Sequence, residues 1–567
     1  MNKRNVVLGL ALTTTLALTA CSGGGGTSSN SGGGGGTGAE AGDGGTLHVL
    51  QTADFSHLDP TMGFDGGVNN FYRLIYRTLT TQSTGEGAEG TEIVPDLATD
   101  LGTPSEDGLT WTFTLKDDIF FEDGSPITSA DVKFGVERSF DPELAIGTPY
   151  ARLTLAGADE YEGPYSDGDF ASIETPDEKT IVFHLAKPYN DFSSVVGQNV
   201  FVPFPADGGV TATSVDQQPI ASGPYKVESY TPGSELTLVR NEHWEKSSDD
   251  VRAAKPDSFV WTFGLDGATI DERMIAGQDD DVNAIAGSVQ AASISRIQTP
   301  AIKDRTVSGV QGCTTYLGLN TTKQYTSNPL VRQAINYAID KSAVQSATGG
   351  TLLADIATTM LPPTIAGQKE FDLYPSEDNA GDVEKATELL AEAGYPDGFP
   401  LVLDVRNQPK MQAQAEAVQQ SLSKVGIDVS FNLIDTATYY EVIGTTSQQN
   451  DAAITGWCPD WSTGATFLPP LFDGRQIYEK GNSNIAQIND AAVNARIDEI
   501  NAMTDLDEAN AAWGDLDEQI AALAPTVPLL FEKAVMVVGE NVAGAYSHAG
   551  FSGGIDYVSV GLENASE

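Results

Sequence analysis

The sequence predicts an α/β protein with more than one domain, and three observations lead there. The chain has 567 residues, more than one hydrophobic core organises, and length alone suggests roughly two to four domains. Between residues 382 and 434 apolar residues repeat alternately with helical and strand periods, the pattern of an α/β layer. Elsewhere, short runs of period two are broken by Pro-Gly and Asp-Gly pairs, which read as turns.

Residues 1–21 stand outside any fold. Lys3 and Arg4 form a basic start, an apolar run of about 15 residues follows, and Leu18-Thr19-Ala20-Cys21 closes it. A membrane span needs about 20 residues, so this is the layout of a secretory signal. Small residues before Cys21 resemble the lipobox of bacterial lipoproteins, in which the cysteine is acylated; the bland alternative is an ordinary signal. Residues 22–45, nearly all Gly, Ser and Thr, bury no apolar surface and form a flexible tether with a reach of roughly 25 to 30 Å. The expected address is the outer face of the cell membrane, reached through lipidated Cys21.

The globular part opens with "TLHVLQTADFSHLDPTMG", an apolar strand running into a turn at Asp59-Pro60, and a helical patch around Phe71, Leu74, Ile75 and Leu79. Trp111, Phe113 and Leu115 alternate as in a half-buried strand, Asp123-Gly124 marks a turn, and Thr128 with Asp131 forms a capping box. That block reads as strand, turn, strand, helix. Tyr225 and Val227, then Pro232-Gly233, then Leu236 and Leu238 read as a hairpin around a type II turn. Asn328 and Pro329 open a helix whose apolar face carries Val331, Ala334, Ile335, Ala338 and Ile339. Asp382 caps another that stops at Gly394. A strand through Leu401, Leu403 and Val405, a helix through Val418, Leu422 and Val425, and a strand from Ile427 to Leu433 complete the alternation. The strand leading to Trp457 belongs in the same sheet. Ligands of open α/β sheets bind beyond the carboxyl ends of strands, where Asp460 falls.

A formal charge of -48 argues against nucleic acid and against adhesion to anionic lipid. With Cys21 set aside, Cys313 and Cys458 remain, and an oxidising compartment suggests one disulfide between them, or else two buried thiols.

Several blocks, taken in order, resemble the family 5 extracellular solute-binding proteins, the dipeptide, oligopeptide and nickel receptors of ABC importers. They are the "LDP" after the first strand, "SEDGLTWTFTLKDDIFFEDGSPITSADVKFGVER", "SGPYKVESYTPGSELTLVRNEHW", "YLGLNTTKQYTSNPLVRQAINYAIDKSAV", "EKATELLAEAGYPDGFPLVL" and "GWCPDW". The resemblance implies two hinged lobes of the type II periplasmic-binding-protein fold, closing over a solute. On that basis the ligand-contacting domain of the first lobe takes residues 46–74, 222–316 and 526–567, an inserted domain takes 75–221, and the second lobe takes 317–525.

It also implies a monomeric receptor for peptides that delivers cargo to permease subunits, touches the membrane through its anchor only, and needs no cofactor or metal. Oligosaccharides, nickel chelates or another small solute are the alternative cargo. In peptide-binding members an acidic residue in the block matching "GWCPDW" meets the α-ammonium of the peptide, and Asp460 is the matching position. The alternative for Asp460 is a turn-stabilising role after Pro459. Trp457 and Trp461 either wall the ligand or pack in a core. A Cys313–Cys458 bridge would brace the floor of the cleft.

Two other motifs carry less. Gly550-Phe551-Ser552-Gly553-Gly554 matches a nucleophile elbow, which makes an exported serine hydrolase using Ser552 a remote alternative; the last histidine, His548, precedes the serine, against the order of that fold. Asp279-Asp280-Asp281-Val282-Asn283 opens like a calcium loop, but Ala284 and Gln290 occupy the places of the required glycine and glutamate.

Overall fold

The structure is a computed structural model that describes residues 41–63, 66–144, 147–436 and 438–563. The signal, Cys21 and nearly all of the tether lie outside the described residues.

The first lobe is built on a five-stranded sheet in the order Ala284–Ala286, Thr46–Leu50, Ser258–Thr262, Glu235–Arg240, Tyr225–Thr231. Thr46–Leu50 runs parallel to both neighbours, and the last two strands form the hairpin read from the sequence. Gly233 takes φ +74°, the left-handed conformation that the third place of a type II turn demands. Leu47, Val49, Phe71, Leu236, Leu238 and Phe259 pack in its core.

Residues Thr103–His184 carry a second, four-stranded sheet around Trp111, Phe113, Phe183 and Phe192. Here one sequence expectation fails. The Asp123-Gly124 turn closes a single bridge between Phe120 and Pro126 rather than two strands, because the chain reaches the helix cap Thr128 only two residues past Pro126 and leaves no length for a return strand. The strand Thr110–Thr114 pairs with the distant Thr180–His184. The helix Ser129–Arg138 does start with the expected capping box, Thr128 N donating to Asp131 Oδ2 at 2.7 Å.

The second lobe holds a six-stranded mixed sheet in the order Ala354–Ile356, Thr526–Val537, Thr306–Leu319, Ala452–Trp457, Pro400–Arg406, Asp428–Ile434. The alternation expected over 382–434 is present as helix Val383–Glu392, strand, helix Pro409–Ser423 and parallel strand. Asp382 caps the first of these helices through Lys385 N at 2.8 Å.

Two long strands join the lobes. Thr306–Leu319 and Thr526–Val537 pair antiparallel. At one end Val307, Ala534 and Met536 belong to the first lobe's core, and at the other Leu317, Leu319, Val527 and Leu529 belong to the second's. Between them the register breaks: Val310 faces Lys533 and Thr314 faces Phe531, so Gln311, Gly312 and Cys313 stand against Glu532 alone. Gly312 sits there at φ +74°. A bulge of this kind locally frees the ladder and bends it, which is what a hinge between two rigid cores requires.

Candidate functional site

The strand Ala452–Trp457 is held on both sides, antiparallel to Thr306–Leu319 and parallel to Pro400–Arg406. Its last pair is Trp457 opposite Thr314. One step further, Cys458 comes opposite Cys313, and the two are joined with Cα atoms 4.2 Å apart. The bridge therefore ties the end of this strand to the hinge bulge. Pro459 then stops the ladder for want of an N–H, and residues 460–463 leave the sheet for the gap between the lobes.

In that gap Asp460 meets the first lobe. The phenol of Tyr150, on the short helix Tyr150–Thr154, donates to Asp460 Oδ2. Asp460 is exposed, yet the protein packed around it desolvates the carboxyl enough to hold it above the ordinary value, and the hydrogen bond from Tyr150 partly opposes that. Burial and the neighbouring carboxylates push the phenols of Tyr150 and Tyr189 well up. No Lys or Arg pairs with Asp460 among the described residues.

Trp461 packs as a core residue. It is 1% exposed and belongs to the inserted domain's apolar cluster, with its ring edge-on to Tyr150 at 4.7 Å between centroids. Its indole N–H donates to Asp191 Oδ2, and Thr463 Oγ1 donates to the same oxygen at 2.6 Å. Asp191 is itself buried, and its other oxygen accepts from Ser194 Oγ at 2.6 Å. Asn190 Nδ2 adds a bond to Ile500 O at 3.0 Å. These contacts clasp the second lobe to the first. Trp457 is half-buried and donates to Thr466 O at 2.9 Å, closing the loop on itself.

The sequence brought Asp460, Trp457, Trp461, Cys313 and Cys458 forward, and the structure places these five on one strand end and the hinge beside it. It missed Tyr150, Asp191 and Thr463. Only Asp191 carried a local signal, as a polar residue just before the apolar Phe192, and that signal says helix cap rather than clasp.

A cavity of about 540 Å³ opens in the first lobe at the carboxyl ends of Thr46–Leu50 and Ala284–Ala286, edged by Asp54, Asp271, Gln290 and Tyr557. The hydrolase alternative finds no support in the geometry. Ser552 is exposed in a left-handed turn. His548 is engaged by backbone at both ring nitrogens, Nδ1 accepting from Gly550 N and Nε2 facing Ser83 O. Asp281 of the calcium-like run pairs with Arg273. Among the described residues no cluster of His, Cys, Asp and Glu is placed to hold a metal, and no helix is long and apolar enough to cross a membrane.

Residues 92–479 match the model of the bacterial extracellular solute-binding proteins, family 5, over more than half of the chain. The chain belongs to that family. It is thus the substrate-binding component of an ABC importer, working outside the cytoplasm, and a binder rather than an enzyme. Its fold is the family's two-lobed type II fold. Among relatives, the glutathione-binding protein GsiB of Salmonella paratyphi A is 26% identical over 515 residues, covering 88% of this chain and 91% of that protein. The solved structure of the clavulanic acid biosynthesis oligopeptide binding protein 2 is 34% identical with a TM-score of 0.86, covering 92% of this chain and 96% of that one. The periplasmic binding protein DppA of Helicobacter pylori, solved with the peptide STSA, is 25% identical with a TM-score of 0.66, covering 92% of this chain and 99% of that one.

Proposed function

We propose that this family 5 receptor captures short peptides and that Asp460 receives their amino terminus. The observation that carries the reading is the position of Asp460: a carboxylate on a loop of one lobe, facing the other, crowded by protein and without a cationic partner among the described residues. Such a group is costly to desolvate, and an incoming ammonium offsets that cost with a charge-assisted bond worth about 1.5 to 3 kcal/mol. The names of the relatives agree: one is a glutathione-binding protein, one an oligopeptide-binding protein, and one holds a bound peptide.

Trp457 has a half-buried face beside the cargo, and Trp461 serves closure. Main-chain bonds to cleft strands give affinity with little sequence choice. Cargo binds better to the closed arrangement and shifts the population toward it, and the closed lobes present the surface that the permease reads. The ligand-contacting domain takes 46–74, 222–316 and 526–567, the inserted domain 75–221, and the second lobe 317–525. Acylated Cys21 holds the receptor at the membrane as a monomer. Mass spectrometry of small molecules released on denaturing the protein from its native host tests the reading. Peptides of a few residues are expected; sugars or metal chelates in stoichiometric amount would overturn it.

A further inference from the structure

The two halves of the Cys313–Cys458 bridge stand in different surroundings. Cys313 is 9% exposed, inside the bulge of the joining strands, whereas Cys458 is exposed. Cys458 is the first residue past the strand Ala452–Trp457, and Pro459 after it has no N–H with which to extend the ladder. Asp460 lies two positions further on, so its Cα is at most about 7 Å from that of Cys458.

A bridge enclosed on both sides resists exchange, because a thiolate cannot reach either sulfur, while exposed bridges are the labile ones. Here the two sulfurs differ in access. Which sulfur is attacked follows access, so an incoming thiolate takes Cys458 and Cys313 becomes the leaving group. The leaving sulfur has a place prepared for it: Cys313 Sγ lies 3.4 Å from Gln311 O, which accepts from the S–H once the thiolate is protonated. Charge then selects among thiols. Asp460 near Cys458, and a formal charge of -48 over the chain, repel an anionic thiol and attract one that carries an ammonium.

We propose that Cys458 is a thiol-exchange site for a small cationic thiol, an aminothiol such as cysteamine, and that exchange there unties the Asp460 loop from the hinge. The thiolate of the small molecule attacks Cys458 Sγ and forms a new S–S bond. The bond to Cys313 breaks, its electron pair leaves on Cys313 Sγ, and that sulfur takes a proton from solvent. The chain then carries one mixed disulfide and one thiol. The pairing of Trp457 with Thr314 remains, without the covalent tie one step beyond it.

The full chain is held in a cysteamine–cystamine buffer at physiological salt, where charges farther than about 8 Å are largely screened. It is then trapped with N-ethylmaleimide in mildly acidic denaturant and mapped by mass spectrometry. Cysteamine is expected on Cys458 and the maleimide on Cys313. The rate is compared with that of 2-mercaptoethanesulfonate, an anionic thiol of similar length, each divided by the same thiol's rate with a small uncharged disulfide. The ratio is expected to favour cysteamine by about fivefold, and Asp460→Asn to reduce it to about twofold or less. Hydrogen exchange over residues 452–463 is expected to be faster in the adduct than in the bridged chain. A bridge that stays closed in the folded chain but opens in the denatured one, an adduct on Cys313 or on neither cysteine, equal normalised rates for the two thiols, or unchanged hydrogen exchange would overturn the proposal.

Discussion

Asp460 is where charge and the contact between the lobes meet, and its protonation sets a pH limit on binding. Its carboxyl lies above the ordinary value because the protein packed around it desolvates it. An ammonium needs the ionised form, so affinity is complete above the raised pKa and is lost as pH falls through it. That loss comes at a higher pH than an ordinary aspartate, near about 3.9, would impose. Tyr150→Phe removes the bond that opposes the shift and is expected to move the loss to still higher pH. Calorimetry of a tripeptide pool at a series of pH values checks this, and a profile indifferent to Tyr150→Phe would contradict it. At this level the sequence brought Asp460 forward and left Trp461 open between ligand wall and core packing. A tryptophan beside a cleft aspartate reads equally as wall or core, and what decides is the apolar cluster of Trp111 and Phe192, hundreds of residues upstream. Sequence spacing carries no trace of such a contact.

Elements defined by local chemistry were legible and long-range pairings were not. The capped helix after Asp382, the hairpin at Pro232-Gly233 and the alternation between 382 and 434 follow from caps, turns and period, which act over a few residues. The partner of Thr110–Thr114 does not, because a strand's pattern says that it has a buried face but not which strand lies beside it. The bulge at Gln311 to Cys313 was invisible for the same reason. Its bridge to Cys458 closes a sequence separation of 145 residues, which in the chain-entropy account stabilises by at most about 5 kcal/mol. Replacing both cysteines by serine is expected to lower the melting temperature and to weaken cargo binding by loosening the turn that carries Asp460. Scanning calorimetry and binding on the double variant test it; a lower melting point with unchanged affinity would confine the bridge to stability.

For the molecule as a whole, the proposed mechanism is that two cores joined by a bulged pair of strands open and close, with the Asp191 clasp favouring the closed arrangement. Asp191→Ala leaves the indole of Trp461 and the hydroxyl of Thr463 without their acceptor. Small-angle scattering of the unliganded variant is expected to show a larger radius of gyration than the parent, with cargo affinity lower by about tenfold, or about 1.4 kcal/mol. An unchanged radius would mean that closure rests on other contacts.

The most direct measurement is the affinity of a tripeptide pool compared with the same pool N-acetylated, on the parent chain and on Asp460→Asn. The account predicts that acetylation weakens binding to the parent by tenfold or more and changes binding to Asp460→Asn little, because the charge lost is the one that Asp460 meets. Equal affinity of both pools for the parent, or an acetylation loss that persists undiminished in Asp460→Asn, would contradict it.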